Sequence, residues 1–380
     1  MKPRFTIDGD DALEQHLAKT CDRVAADVRK IFPNGRLEAL LLGGGYGRGQ
    51  GGVLKTGCGD KPYNDLEFYI CLEGNPFFNE RKYRNPVNNL AHQLSPLAEV
   101  EIEFKITSRE KLQAVPPTMF TYDLACGNRT LIGNENLFSD SRFRDSRQVP
   151  LFEATRLLMN RCSGLLFARE RLLRKPFTAD DADFVGRNHA KAQLGFGDAF
   201  LAAQKIYHWD CRERNHRLKT FSPEYKLPWM EELRKHHSAG VEFKLHPRRV
   251  NDSTIDLCET QRELSLLGLK VWLWLESLRL HKMFLSPSDY FTSSLDKCPE
   301  TNSLHNVLVN FKTFRTSSLD GKWFRYPRER LLNSLALLLW EPTALTNPSL
   351  LKRLQTELRT DAVNFTELVQ AYEELWRKFN

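Results

Sequence analysis

The sequence predicts an α+β fold: a small mixed β-sheet domain followed by a mostly α-helical domain. Short apolar runs at 37–43, 65–72 and 99–106 have the length expected of strands. From Phe152 onward apolar residues recur instead at helical spacing. The length of 380 residues also exceeds that of one ordinary domain. We therefore expect a sheet domain over 1–150 and a helical domain over 151–380.

The sheet domain is expected to begin with a helix over 12–32, since its apolar residues recur at helical spacing. Strands at 37–43 and 65–72 follow, then a helix from Val87 to Leu94. The next segment, 98–106, alternates apolar and charged residues, which indicates a strand with one apolar and one charged face. The charged face carries Glu101, Glu103 and Lys105. Taken alone, this segment would be an amphipathic edge strand whose charged face is solvated.

The second half of the chain reads as helices. Pro176 ends the first near Arg174, and Thr178 with Asp181 forms a capping-box-like start for a helix to about Trp209. The segment 271–280 is apolar on most sides and predicts a buried central helix. Further helices are expected at 252–284, 327–340, 348–359 and 363–379.

A glycine-crowded turn, 43–52, follows the first strand, and Asp65 and Glu67 follow on the next strand. Residues two apart on a strand share a face, so the two carboxylates should project together. Two adjacent carboxylates are commonly neutralised by a hard divalent cation, while free N–H groups in a glycine-rich turn suit anionic oxygens. The alternative is a flexible hairpin loop beside a solvated strand edge.

The strand, the GGYGRG turn and the N-D-L-E that follows resemble the nucleotidyltransferase superfamily typified by DNA polymerase β. The wording is closest to bacterial PII uridylyltransferases and related protein or small-molecule nucleotidyltransferases. The resemblance implies that Gly44 and Gly45 hold a triphosphate with Arg48 near it. It also implies that Asp65 and Glu67 bind Mg²⁺ or Mn²⁺, with a third carboxylate from the neighbouring strand.

The third carboxylate is either Glu101 or Glu103, and the spacing leaves this choice open. The metal ligands expected are Asp65, Glu67 and Glu101, and Glu103 is a further catalytic candidate. Two metal ions about 4 Å apart would then assist transfer of a nucleoside monophosphate from an NTP, ATP or UTP, to a hydroxyl. The acceptor, whether protein, small molecule or nucleic acid, is not specified by the sequence.

Two departures from the family pattern accompany the resemblance. Gln50 stands where the uridylyltransferases usually carry glutamate. The span from Gly45 to Asp65 is 20 positions, longer than the usual dozen or so. We expect the extra residues to bulge as a loop over the nucleotide.

The net charge of +7 comes from the second half of the chain. Residues 1–150 hold 20 basic and 20 acidic residues, whereas the rest holds 35 and 28. Basic runs there, such as 212–219 and 244–249, could meet the phosphates of a nucleic acid, although a solvated helix face is the commoner explanation and no RNA-binding motif is present.

Three other expectations complete the interpretation. No long uncharged apolar run is present and the N-terminus does not resemble a signal peptide, so we expect a cytoplasmic protein without a membrane segment. The 8 scattered cysteines are expected to be reduced. There are two alternative functions. One is a nucleotide-binding regulator that has lost turnover, and the other is a nucleic-acid-binding module that uses the basic helices.

Overall fold

The structure is a computed structural model that describes residues 4–32, 35–114, 116–133, 135–138, 140–222, 227–315 and 322–379. It divides into two compact units. The first comprises Met1–Pro150, Gln204–Phe221 and Val241–Arg248; the second comprises Leu151–Ala203, Ser222–Gly240 and Arg249–Asn380. The fold is α+β with a small mixed sheet and a helical part, which confirms the predicted class.

The elements up to residue 150 alternate between helices and strands. In chain order they are α1 (Asp11–Ile31), β1 (Leu37–Leu42), α2 (Gly44–Gly47), β2 (Val53–Thr56), β3 (Gly59–Pro62), β4 (Leu66–Leu72), α3 (Pro76–Ala98), β5 (Ile102–Thr107), α4 (Arg109–Ala114), α5 (Met119–Cys126) and β6 (Arg129–Gly133). Three 3₁₀ turns follow β6, at Glu135–Phe138, Ser141–Arg144 and Ser146–Gln148.

After residue 150 the described chain forms helices. They are α6 (Leu151–Leu172), α7 (Ala179–Ala203), α8 (Cys211–Thr220), α9 (Met230–Leu245), α10 (Thr254–Leu280), α11 (Pro287–Thr292), α12 (Ser303–Phe314), α13 (Arg328–Leu335), α14 (Pro348–Leu358) and α15 (Phe365–Phe379). A π-helical turn, Ala336–Trp340, and a 3₁₀ turn, Pro342–Thr346, follow α13. Across the described residues, none of the helices combines the length and apolarity that a membrane crossing requires.

The main sheet has four strands in the order β5-β4-β1-β6. β4 and β5 run parallel, whereas β1 is antiparallel to both β4 and β6. The parallel register places Leu66 beside Ile102, Glu67 beside Glu103 and Phe68 beside Phe104. Each of these pairs shares one face of the sheet, because side chains alternate along both strands in step.

One face of this sheet is an apolar core covered by α1 and α3. Leu66, Phe68 and Ile70 of β4 are fully buried there, together with Leu17 and Val24 of α1. The prediction that Leu66 and Phe68 point into the core is confirmed.

The opposite face is covered along only part of its length. Leu41, Tyr69 and Cys71 pack there against Leu124 of α5 and against Phe143 in the second 3₁₀ turn. Glu67 lies two residues before Tyr69 and therefore on this same face. The residues that pack on this face thus leave the charged side chains near the start of β4 uncovered.

The segment between the glycine turn and Asp65 is ordered as a hairpin rather than an irregular loop. β2 and β3 pair antiparallel from Val53 beside Pro62 to Thr56 beside Gly59. Lys55 and Asp60 form an ion pair across it at 2.8 Å. The expectation that this segment is an irregular loop was therefore wrong. The pairing of β2 with β3 satisfies the backbone N–H and C=O groups of the segment.

The strand expected from Glu99 begins only at Ile102, because α3 runs to Ala98. The helix was expected only between Val87 and Leu94, and proline disfavours helix interiors by about 3 kcal/mol. Both prolines within α3, Pro86 and Pro96, are nevertheless accommodated. A buried stripe outweighs their cost; its members are Tyr83, Val87, Leu90, Leu94 and Ala98.

The predicted central helix of the second unit is confirmed as α10. Trp272 is fully buried, with ring centroids 5.3 Å from Trp340 and 5.6 Å from Tyr290. Trp274 packs against Phe200 at 5.0 Å. These aromatic contacts are those of a core.

The predicted start of α7 is confirmed, but its predicted end is not. Thr178 Oγ1 donates to Asp181 Oδ2 at 2.7 Å and accepts from the Asp181 N–H at 3.2 Å. The helix ends at Ala203 rather than near Trp209, and Lys205 has a φ of 61°, outside the helical range. Residues 204–221 then belong to the first unit.

Candidate functional site

The glycine turn lies directly against the carboxylate of Glu67. The Gly43 N–H donates to the Glu67 carbonyl oxygen at 2.8 Å. Gly44 has a φ of 61°, and a Cβ placed on it would lie 2.8 Å from Glu67 Oε1. Only glycine brings the backbone this close in this conformation without strain. The turn and the acidic strand therefore meet at Gly44.

Tyr46 anchors the turn to the hairpin that follows. It is 1% exposed, its hydroxyl donates to the Gly52 carbonyl at 2.9 Å, and it accepts from the Tyr63 N–H at 3.0 Å. Burial raises the pKa of the Tyr46 hydroxyl to about 12. Its ring fills the space where a Gly51 side chain would stand. These contacts fix the backbone on either side of Gly44 and Gly45.

The carboxylates are distributed over two neighbouring strands. Asp65 directly precedes β4, Glu67 is its second residue, and Glu103 stands in register beside Glu67 on β5. Glu101 precedes β5 and is exposed, and its carbonyl oxygen accepts from the Leu66 N–H at 2.9 Å. The geometry thus favours Glu103 over Glu101 as the partner of Glu67. We call Asp65, Glu67 and Glu103 the carboxylate cluster.

Lys105 and Tyr69 complete this cluster. Lys105 Nζ lies 3.3 Å from Glu67 Oε2 and 3.3 Å from Glu103 Oε2. The Tyr69 hydroxyl donates to the same Glu67 oxygen at 2.8 Å, and Lys105 Nζ lies 5.5 Å from the centre of the Tyr69 ring. Both carboxylates therefore share one ammonium group, and Tyr69 fixes the orientation of one of them.

The ionisation of these groups reflects the concentration of negative charge. Asp65 reaches solvent, yet burial of its carboxyl among neighbouring atoms raises its pKa, and the charges of Glu67 and Glu103 raise it further. Burial also raises the pKa of Tyr69, with Glu67 adding to the effect. For Lys105, partial burial opposes the charged form, but Glu67 and Glu103 more than offset it and raise the pKa. The cluster therefore attracts cations.

Carboxylate oxygens are the donors that Mg²⁺ and Mn²⁺ prefer, so the donor types of the cluster fit a divalent ion. In the part of the chain that the structure describes, however, no three His, Cys, Asp or Glu side chains come close enough together to hold a metal ion. The Glu67 and Glu103 carboxylates are spaced around the Lys105 ammonium instead.

Arg48 is turned towards Asp123 of α5. Its Nη1 lies 3.5 Å from Asp123 Oδ2, and its side chain is 13% exposed. The Tyr207 hydroxyl donates to the same Asp123 oxygen at 3.2 Å, and Arg214 Nη1 donates to Tyr207 at 2.8 Å. Arg48 therefore links the glycine turn to α5 and to the segment before α8.

Gln50 attaches the turn to α8 itself. Its side chain is buried, and its Oε1 accepts from the Cys211 N–H at 3.2 Å. A carboxylate here would be a buried charge, which is costly unless it is paired, whereas the amide leaves only its buried Nε2 without a hydrogen-bond partner among the described residues. The Gln50 departure noted in the sequence thus coincides with a buried contact to a later part of the chain.

Part of the basic run 212–219 is used within the protein. Arg214 is 3% exposed and donates to the carbonyl of His208 at 3.1 Å. Arg217 donates to Glu213 at 2.8 Å and to the Ile206 carbonyl at 3.0 Å. These arginines hold the chain around α8, which accounts for their presence without a nucleic acid.

Sequence reasoning placed Lys105 on the charged face of the strand beside Glu103 without assigning it to the site, and it missed Tyr69 and Asp123. Tyr69 stands two residues after Glu67, so strand alternation could have placed it on the same face. Asp123 lies on α5. Its contact with Tyr207 spans 84 positions, and no local pattern indicates such a contact.

Comparison of the chain with models of protein families, with curated proteins and with solved structures gives no match.

Proposed function

We propose that the chain is a metal-dependent nucleotidyltransferase that moves a nucleoside monophosphate from an NTP, ATP or UTP, to a hydroxyl acceptor and releases pyrophosphate. The observation that carries this proposal is the contact between Gly44 and the Glu67 carboxylate, with Glu103 beside Glu67. It places a backbone able to approach a phosphate next to acidic oxygens from two parallel strands. This arrangement supports the function that the motif resemblance implies.

The residues around the turn would bind the triphosphate. The backbone of Gly44 and Gly45 lacks side chains, so phosphate oxygens can approach it closely. Arg48 holds this backbone in place through Asp123 rather than reaching outward. Tyr46 secures the other side of the turn through Gly52 and Tyr63. A rigid turn is an advantage, because pre-positioning of reacting groups lowers the barrier to transfer.

The carboxylates would orient the cation and the acceptor. Asp65 and Glu67 would hold a magnesium or manganese ion, which when bound neutralises charge that develops on the transferred phosphate and the leaving group. Tyr69 keeps one Glu67 oxygen in place, leaving Oε1 facing Gly44. Glu103, whose side chain is 41% exposed against 28% for Glu67, is the carboxylate we assign to receive the proton of the acceptor hydroxyl.

The proposal is tested by incubating the protein with each α-labelled NTP, Mg²⁺ or Mn²⁺, and cell lysate. We expect label to be transferred, pyrophosphate to be released, and both to require the divalent ion. A variant with Asp65→Asn and Glu67→Gln should lose at least about 10²-fold in rate, the scale for removal of one electrostatic stabiliser. The matched control is Glu80→Gln, which removes an exposed glutamate on α3. Equal transfer by the double variant and the wild type would contradict the proposal.

One observation favours a second candidate, a nucleotide-binding protein without turnover. Lys105 already neutralises part of the charge of Glu67 and Glu103, so the carboxylates do not need a metal ion to be tolerated. Such a protein would keep the turn and bind NTP without chemistry. Isothermal titration calorimetry would then show NTP binding, while pyrophosphate release would stay at the background rate.

A further inference from the structure

A groove of about 1140 Å³ lies along β6, the strand at one edge of the main sheet. We call it the edge groove; it is lined by residues of the first unit that fall within 4–22, 47–49, 125–131 and 144. One wall comes from α1, which packs on one face of the sheet, and the other from α5 and the second 3₁₀ turn, which pack on the opposite face. Pockets for small ligands are typically about 300–1,000 Å³, so the groove has room for such a ligand. We propose that the edge groove binds a small oxyanion, a phosphate or a carboxylate, through Arg129 of β6 and Arg144 of the second 3₁₀ turn.

The edge groove is separate from the proposed nucleotide site. Gly47 and Gly49 of the glycine turn line it, whereas, of the residues that the structure describes, neither Gly44 nor any member of the carboxylate cluster does. Binding of an oxyanion in the edge groove therefore does not depend on the proposed transfer of a nucleotide.

The Arg129 guanidinium is held in a defined orientation in the edge groove. Its Cζ lies 3.6 Å from the centre of the Phe5 ring, and its Nη2 donates to the Arg4 carbonyl at 2.9 Å. Burial lowers the pKa of Arg129, because the charged form is poorly solvated there. An oxyanion would stabilise this charge. Since the guanidinium is already ordered, little further entropy is lost when it forms two parallel hydrogen bonds with an oxyanion.

Arg144 brings a second guanidinium to the other wall of the groove. Its side chain is exposed, its Nε donates to the Phe138 carbonyl at 3.3 Å, and among the described residues its Nη groups have no hydrogen-bond partner. Its charge reaches Cys126 on the same wall, where burial raises the pKa of the thiol to about 11 and Arg144 opposes the shift. Arg48 also lines the groove, but the Asp123 carboxylate lies 3.5 Å from it. Arg144 is thus the cation of this wall that can turn towards a ligand.

The acidic residues of the edge groove all lie on the α1 wall, and two of the three have partners within the protein. The Glu14 carboxylate accepts from two backbone N–H groups that precede α1, at 2.8 Å and 2.9 Å. The Asp11 carboxylate lies 3.4 Å from Arg4 Nη1. The third, Asp22, is exposed. The two guanidiniums on the sheet side of the groove thus exceed this carboxylate in charge, and an anionic ligand would balance the difference.

The test uses the full chain and measures, by mass spectrometry, the rate at which N-ethylmaleimide labels Cys126, which lines the edge groove. Rates are compared with and without inorganic phosphate, and with and without succinate, at constant pH and ionic strength. We expect at least one anion to slow labelling about tenfold at about 10 times its Kd, because labelling then requires the empty groove. The anion that protects identifies the chemistry of the ligand. The exposed Cys258 of the second unit is the internal control and should react at the same rate throughout.

The same titration is repeated on variants, and a thermal melt of each shows that it folds. Arg144→Gln should raise the Kd at least about tenfold, the scale of one charge-assisted hydrogen bond, and Arg129→Gln should do the same. The matched control is Arg142→Gln, since Arg142 is exposed on the same 3₁₀ turn, pairs with Asp140 at 2.6 Å and does not line the groove.

Labelling of Cys126 that neither anion slows, or a wild-type Kd in Arg144→Gln, would overturn the inference. Failure of the proposed function is distinguishable from this result. A wild type whose Cys126 is protected but which transfers no nucleotide contradicts the proposed function alone.

Discussion

Two clusters of charged side chains, one in each unit, differ in the solvent exposure of their carboxylates. In the second unit, Glu276 is fully buried and all its contacts are close; its donors are Thr155 at 2.6 Å, Tyr290 at 2.7 Å and Arg279 at 2.6 Å. In the first unit, Glu67, Glu103 and Asp65 reach solvent and share one lysine.

The difference separates charge that is paired within the protein from charge that is left partly unpaired. A buried carboxylate is tolerated only when its oxygens are hydrogen-bonded and its charge is paired, and Glu276 meets both conditions. Burial opposes the charge of Arg279, but Glu276 more than offsets this and raises the pKa of the guanidinium. The carboxylate cluster has more negative charge than its surroundings neutralise. Such an excess has no benefit for folding, but it attracts cations.

The largest change in stability is expected at Glu276. Replacement by Gln leaves the buried Arg279 with the more distant Glu300 carboxylate, at 4.0 Å, and breaking a buried pair in this way costs about 3–5 kcal/mol. Urea unfolding followed by circular dichroism measures this loss. Glu80→Gln, which breaks the exposed pair with Arg84, should cost no more than about 0.5 kcal/mol. A similar small cost at both positions would remove the distinction between the two clusters.

A buried histidine in the second unit extends the comparison to pH. His189 is 4% exposed, and burial lowers its pKa to about 4, although a contact with Gln261 at 2.9 Å opposes the shift. Between pH 6.5 and 4 the unfolded chain takes up a proton that the folded protein does not, so the free energy of unfolding decreases as pH falls. The decrease is at most about 3 kcal/mol, and the contribution of neutral His189 to the free energy of unfolding is fully present above pH 6.5.

The measurement is urea unfolding at a series of pH values for the wild type and His189→Gln. The variant should lose this part of the pH dependence. The exposed His92, changed to Gln, is the control and should leave the profile as it is. An unchanged profile in His189→Gln would show that His189 is not the group responsible.

A smaller effect is expected from a methyl group at the glycine turn. Gly44→Ala forces a residue with a side chain to a φ of 61° and places its Cβ 2.8 Å from Glu67 Oε1. We expect a loss of about 1–2 kcal/mol in unfolding free energy and weaker NTP binding by calorimetry. Gly57→Ala is a suitable control, because nothing lies within 4 Å of the added Cβ. Equal NTP affinity in the two variants would show that the glycine turn does not bind the nucleotide.

The smallest change in stability is expected at Glu67 itself. Gln at this position loses a contact with Lys105 but also removes a charge that repels Asp65 and Glu103. These effects oppose each other, and the groups are partly exposed, so the unfolding free energy should change by less than about 1 kcal/mol. A loss as large as that expected for Glu276→Gln would mean that Glu67 serves the fold.

The sequence was sufficient for the parts of the fold that depend on local patterns. Alternation placed Leu66 and Phe68 in the core, and helical spacing located α1 and α10. The start of β5 was misplaced, because Glu99 ends α3 in a left-handed conformation, with a φ of 57°, instead of beginning the strand.

The arrangement of the site depended on information that is not local. Glu101 and Glu103 could not be distinguished before the register of β4 and β5 was known, because that register alone decides which glutamate stands beside Glu67. The same register brings Lys105 to both carboxylates. The contact of Asp123 with Tyr207 required residues 204–221 to join the first unit.

The central claim is tested most directly by measuring pyrophosphate release from NTP by the wild type and by the Asp65→Asn, Glu67→Gln double variant, after urea unfolding has shown that the two are equally stable. The account predicts release by the wild type that depends on a divalent ion, and a reduction of at least about 10²-fold in the variant. Release at the wild-type rate by a stable double variant would contradict it.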